Sequence, residues 1–208
     1  MAFRTDQEAF WAGQFGDEYS RRNAGNTLLA SNLSFFSRAL QRAGNVTSCI
    51  EFGANIGMNL RALKLLYPQM EQHGIEINSE AASVLRDAIG VDRVFQGSMF
   101  DYEQAEVADL ALIKGVLIHV NPDMLPITYR KLYDAARRWL LICEYYNPSP
   151  MSIAYRGHAD RLNKRDFAGE LLDTFPDLTL IDYGFAYHRD IAFPQDDITW
   201  FLMVKADR

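Results

Sequence analysis

Cysteine is scarce in this chain: Cys49 and Cys143 are the two present, and each sits inside an apolar run. Neither stands at metal-ligand spacing, so no metal is expected, and both read as buried thiols of a reducing compartment. Long apolar stretches are also missing. No run approaches the ~20 residues that a membrane span requires, and Met1-Ala2-Phe3-Arg4-Thr5-Asp6 lacks the apolar core of a signal peptide. There is no basic excess: 21 Lys and Arg stand against 27 Asp and Glu, and the net charge of −6 argues against a broad grip on nucleic acid. Repeats, low-complexity runs and long linkers are absent. These absences leave a soluble cytoplasmic protein, and 208 residues that are 49% hydrophobic fit one α/β domain over 1–208, with residues 1–44 helical and 45–208 forming the core.

What is present is organised around Ser48-Cys49-Ile50-Glu51-Phe52-Gly53-Ala54-Asn55-Ile56-Gly57-Met58-Asn59-Leu60. An apolar run ends beside an acidic residue, passes two glycines and becomes an apolar-periodic segment. This is a buried strand turning into a helix through a loop without bulky side chains. Glycines let the backbone approach a ligand closely, and the helix that follows offers unpaired N–H groups. The spacing Glu-x-Gly-x-Asn-x-Gly is not the Gly-x-Gly-x-x-Gly of a dinucleotide site. Glu51 at the strand mouth is expected to repel a pyrophosphate but not a cationic ligand, which suits the positive sulfonium of S-adenosylmethionine (SAM).

The rest of the chain alternates. Thr5-Asp6-Gln7-Glu8 is a capping box that opens a helix carrying Phe10, Trp11 and Phe15, and Asn26-Thr27 opens another with Leu29, Leu33, Phe36 and Leu40 on one side. Strands are expected at residues 46–52, 73–76, 93–96, 109–114 and 139–143. Helices are expected at 58–66 and 79–89, with another opened by Asn121-Pro122. Such alternation predicts a parallel sheet covered by helices on both faces. A helix at 166–175 and strands at 178–185 and 198–204 follow. The connection 186–197 is too short for a crossover helix, so these two strands are expected to pair antiparallel.

Ligands of open α/β sheets bind along the carboxyl edge of the strands. There Glu76 can accept both hydroxyl protons of a ribose diol, or else cap the next helix. Lys114 ends the fourth strand, where a cation beside a sulfonium costs energy; it is expected to meet an anionic group of the acceptor or the cofactor's carboxylate. His119 is either a general base or a turn residue. After the fifth strand, Tyr145, Tyr146 and Asn147 lead into the basic run Tyr155-Arg156-Gly157-His158-Ala159-Asp160-Arg161-Leu162-Asn163-Lys164-Arg165, read as a loop. Aromatic platforms with arginines suit a polar or anionic small molecule, and a solvated charged loop is the alternative.

The glycine loop and the antiparallel tail together resemble the class I, Rossmann-like SAM-dependent methyltransferases. Within them, Phe-Trp-x-Gly-x-Phe-Gly-x-x-Tyr-x-x-Arg-Asn, Glu-Phe-Gly-Ala-Asn-Ile-Gly-x-Asn-Leu, Lys-Gly-Val-Leu-Ile-His, Glu-Tyr-Tyr-Asn-Pro and Phe-Pro-Gln-Asp-Asp are similar to the pseudaminic acid biosynthesis-associated methylases, a group tied to surface-glycan and nonulosonic-acid clusters. The resemblance implies SAM as cofactor, held by Gly53, Ala54, Asn55 and Gly57 of the loop. It also implies Glu76 and Ile77 at the ribose, Gly97, Ser98 and Met99 at the adenine, and Tyr19, Arg22 and Asn23 of an N-terminal lid, with Lys114, near the methionine end. An acidic residue often stands in the family where this chain has Ser98. The resemblance further implies a sugar-related small-molecule acceptor, with His119, Tyr145 and His158 as candidate bases and Tyr146, Asn147, Arg156 and Arg161 as acceptor contacts. A methyltransferase of proteins, peptides or another small metabolite and a SAM-binding protein without chemistry are the competing readings.

Overall fold

Three helices come first: α1 (Asp6–Ala12), α2 (Gln14–Arg22) and α3 (Asn26–Ala39). The apolar runs then become five parallel strands, β1 (Ser48–Phe52), β2 (Glu71–Glu76), β3 (Val94–Gln96), β4 (Ala108–Lys114) and β5 (Ala136–Glu144). Helices α4 (Met58–Leu66), α5 (Ser79–Ile89) and α6 (Leu125–Ala135) link β1 to β2, β2 to β3 and β4 to β5. A hairpin of β6 (Met151–Tyr155) and β7 (His158–Lys164), the helix α7 (Phe167–Thr174), and the strands β8 (Leu178–Ala186) and β9 (Ile198–Lys205) complete the chain. This computed structural model describes residues 3–103, 107–155 and 158–206.

The main sheet has seven strands in the order β3-β2-β1-β4-β5-β9-β8, with β9 antiparallel to β5 and β8 antiparallel to β9. The expected parallel wind closed by an antiparallel C-terminal pair is therefore observed. Two apolar layers flank it. Leu60, Leu63 and Leu85 of α4 and α5 join Phe35 and Phe36 of α3 on one face. Leu125, Tyr129 and Leu132 of α6 join Phe167 and Leu171 of α7 on the other. With both faces covered, β4 and β5 read as continuous apolar runs rather than alternating ones. Pairing of Phe52 with Ile75 and Ile113, and of Lys114 with Cys143, brings the ends of β1, β2, β4 and β5 to one level. The loops leaving them therefore meet at a common edge.

Two elements differ from expectation. The N-terminal aromatic helix is broken at Gly13, whose extended backbone ends α1 and starts α2. The two pieces then fold against each other so closely that a Cβ on Gly16 would lie 2.0 Å from the Trp11 carbonyl oxygen. The basic run is not a loop: Met151 pairs with Lys164, Ile153 with Leu162 and Tyr155 with His158. Leu162 is buried and Ile153, its partner across the hairpin, packs on the core, so this apolar pair anchors the hairpin.

Candidate cofactor-binding site

The loop after β1 is shaped by backbone geometry that glycine favours. Gly53 and Gly57 have φ of 72° and 81°, and Asn55 between them has φ of 50°. Asparagine tolerates this region because its short polar side chain bonds locally, here with Oδ1 accepting from the Ile56 N–H at 2.7 Å. The Gly53 and Ala54 N–H groups both donate to the Ile75 carbonyl, at 2.9 and 3.0 Å, which pins the loop to β2. A Cβ on Gly53 would approach Val116 Cγ2 to 2.6 Å. The loop thus passes flush against the exit of β4.

A cavity opens above these strand ends. Its floor is Gly53, Ala54, Asn55, Glu76, Ile77 and Gly97; Met99 and Phe100 close one end, while Lys114, His119, Gln195 and Asp196 stand toward the other. Glu76 is buried, and its carboxylate accepts from the Asn55 N–H on Oε2 and from the Asn78 N–H on Oε1, each at 2.7 Å. With the Ile77 N–H also directed at the carboxylate, about one of its four acceptor positions remains open. Burial pushes the Glu76 carboxyl up from its usual value, while the backbone donors Asn78, Asn55 and Ile77 pull it down.

The roof comes from the N-terminus: Thr5, Glu8, Trp11, Gly16, Tyr19 and Asn23 line the cavity from above. It is tied to the loops after β2 and β3. Glu8 accepts from the Ser98 hydroxyl and Arg4 pairs with Asp101. Asn78, which caps α5, donates to Asp17 at 2.7 Å, and Arg21 pairs with Glu80 at 3.0 Å. Trp11 lies with its ring centroid 4.7 Å from that of His119, so the buried imidazole is covered by the roof.

The charged groups at the far end behave unlike surface residues. Lys114 has no hydrogen bond or ion pair among the described residues, and its ammonium lies 5.5 Å from the centre of the Phe35 ring. Burial lowers its proton affinity, opposed by the acidic groups Cys143, Glu51, Asp196 and Glu144 around it. Glu144 accepts from the Val116 and Leu117 N–H groups at 2.9 and 2.8 Å, holding the turn that carries His119, and burial pushes it to about 7. On the opposite wall, Gln195 donates to Asn32 at 3.0 Å and fastens the β8–β9 connection onto α3.

No protein-family model matches the chain, and no curated protein matches it in sequence. Solved structures do. The 1,6-didemethyltoxoflavin-N1-methyltransferase of Burkholderia thailandensis superposes with a TM-score of 0.73 at 17% identity, over 100% of this chain and 92% of that one. The magnesium protoporphyrin IX methyltransferase of Synechocystis PCC 6803 with bound S-adenosylhomocysteine gives 0.69 at 12% identity, over 97% and 100%. The mitomycin 7-O-methyltransferase MmcR gives 0.66 at 15% identity; 97% of this chain is covered, but it spans only 61% of that protein's length. The fold is that of the class I SAM-dependent methyltransferases.

On this methyltransferase fold, the positions expected from sequence fall into three groups. Tyr19, Asn23, Gly53, Ala54, Asn55, Glu76, Ile77, Gly97, Met99, Lys114 and His119 line the cavity. Gly57 does not, being the residue from which α4 starts. Ser98 is turned away, spending its proton on Glu8 and accepting from the Phe100 N–H at 3.1 Å. Arg22 points outward over the Phe15 ring and pairs with Glu18 at 3.7 Å. Tyr145 packs on the core with Lys164 5.1 Å from its ring centre, Tyr146 leans on Phe201, and Asn147 bonds the Ser149 carbonyl; none of the three lines the cavity. His158 and Arg161 are placed only as backbone positions of β7, and Arg156 lies outside the described residues.

Glu51 needs a correction. Its side chain is fully buried rather than at the mouth; Oε1 accepts from Asn59 Nδ2 at 2.6 Å, and Oε2 has no partner. Burial pushes it from 4.5 to about 8, so at neutral pH it is mostly protonated and presents no charge against a pyrophosphate. Sequence reasoning missed Glu8, Trp11, Asn32, Asn78 and Glu144. Glu8 was visible only as half of a capping box, and nothing local says where that box docks.

Proposed function

We propose that this protein binds SAM along the edge from Gly97 to Lys114 and transfers its methyl group to a small polar or anionic, sugar-related acceptor. The observation that carries the cofactor half is the juxtaposition of Glu76, with an acceptor position still open for a ribose hydroxyl, and the glycine loop whose Asn55 N–H it accepts. The donor set fits the group: an apolar slot of Ile77, Met99 and Phe100 for a base, a carboxylate for the ribose, and an unpartnered ammonium for a carboxylate. When bound, SAM would supply an electrophilic methyl: the acceptor atom bonds to its carbon as the carbon–sulfur bond breaks and S-adenosylhomocysteine leaves.

What remains for the chain is alignment and the exclusion of water. The roof residues Trp11 and Tyr19 shut out solvent over the strand ends. Glu144 fixes the turn bearing His119, whose imidazole is the candidate to take a proton from an alcohol acceptor. The sugar-related acceptor is supported by the sequence resemblance. Calorimetry with S-adenosylhomocysteine and NAD tests the cofactor: tight binding of the first and none of the second is expected, and equal binding overturns the reading. Mass spectrometry of carboxylated sugars incubated with SAM and enzyme tests the acceptor class. A gain of one methyl is expected, and no gain on any of them overturns that class.

A further inference from the structure

Beyond the ribose carboxylate, the cavity continues toward the exit of β3, bounded by Ile77, Gly97, Met99 and Phe100. If Glu76 holds a ribose, the attached base occupies this slot, with apolar side chains against its faces and the base's polar edge directed at whatever closes the end. Glu8 lines the cavity and is tied to the loop after β3 through Ser98. Ser98 does not line the cavity: its single proton goes to Glu8 and its oxygen accepts from the Phe100 N–H.

Glu8 itself is 8% exposed. Its Oε2 accepts the Arg4 N–H at 2.6 Å and the Thr5 N–H at 3.3 Å, the second being the backward bond of the capping box. Its Oε1 accepts only the Ser98 hydroxyl among the described residues, which leaves one acceptor position on a buried carboxylate oxygen. Loop and helix thus share the work: Ser98 holds Glu8 in place, and Glu8 carries the charge.

We propose that Glu8, from the roof helix α1, reads the exocyclic amino group of the cofactor's adenine. The proposal rests on the cofactor assignment above. A carboxylate can accept from the adenine amino group but cannot donate, so hypoxanthine, which presents a carbonyl oxygen there, sets two acceptors against each other. Sites built around a hydrogen bond reject the analogue that cannot make it. Because the same carboxylate is fixed to the loop after β3, reading the base and seating the roof are one event.

The test compares S-adenosylhomocysteine with S-inosylhomocysteine by calorimetry on the full chain. The wild type is expected to prefer the adenosyl compound by roughly tenfold or more, the worth of one charge-assisted contact. Glu8→Gln keeps the capping box, since glutamine serves at that position, and its amide can donate to the hypoxanthine oxygen. The preference is expected to fall to within about threefold. Ser98→Ala removes the tether but not the reader, and its preference should persist. Equal affinities in the wild type, a preference unchanged in Glu8→Gln, or one lost only in Ser98→Ala would each overturn the role of Glu8. If the wild type binds neither compound, the cofactor assignment itself fails, and the two failures are thereby told apart.

Discussion

Replacing Glu51 by glutamine removes a titrating group whose environment differs greatly between the unfolded and folded chain. In water the carboxyl loses its proton near 4.5; enclosed beneath α4 it holds it to about 8. Between those values the folded state binds more protons than the unfolded state, so stability falls as pH rises across that window. The interval from 4.5 to about 8, at about 1.4 kcal/mol per pH unit, comes to about 5 kcal/mol, of which about 3 is lost by neutral pH. Glu144, raised to about 7, adds a loss of the same sign. Lys114 acts oppositely: its lowered proton affinity adds stability with rising pH only above its folded value and up to 10.5. Glutamine keeps an oxygen for Asn59 and matches the protonated acid in shape. Urea unfolding from about pH 5 to about pH 9 should therefore show wild type and Glu51→Gln alike in acid. The gap should then widen in favour of the variant by several kcal/mol toward the alkaline end. Two curves that stay parallel would refute a buried, proton-holding Glu51.

Glu76→Ala should weaken S-adenosylhomocysteine by about 2–4 kcal/mol, since a charge-assisted bond to a ribose hydroxyl is lost together with the hold on the Asn55 and Asn78 amides. Unchanged affinity in calorimetry would reduce Glu76 to a loop fastener. Gly53→Ala places a Cβ 2.6 Å from Val116 Cγ2 at a φ of 72° and should lower the melting temperature and the affinity together. Val116→Ala in the same chain should recover part of both, and a Gly53→Ala protein with wild-type melting would show that the loop is not pressed against β4.

The architecture was readable because its signals are local. The apolar runs of β4 and β5 announce strands covered on both faces, and the short connection after β8 dictates an antiparallel return. The floor of the site followed, since strand ends of a parallel sheet share an edge. The roof did not follow. Glu8 meets Ser98 across 90 residues and Gln195 meets Asn32 across 163, and no periodicity encodes where two polar side chains separated so far will dock. Glu51 was misjudged for a related reason. On a strand buried on both faces, alternation does not say whether a polar residue turns to the ligand or beneath a helix. The hairpin of β6 and β7 was hidden because its charges drew attention from the apolar pair Ile153 and Leu162.

Four ties seat the N-terminal segment of α1 and α2: three end on the loops after β2 and β3, at Asn78, Ser98 and Asp101, and the fourth on Glu80 in the first turn of α5. On the proposed function, a nucleoside would lie beneath those helices, and its departure is coupled to the parting of these ties. Its residence time is therefore governed by how often they part together, and affinity gained through them appears as slower departure rather than faster arrival. On the proposed methyl transfer, release of the spent nucleoside waits on the same event as entry of the fresh one.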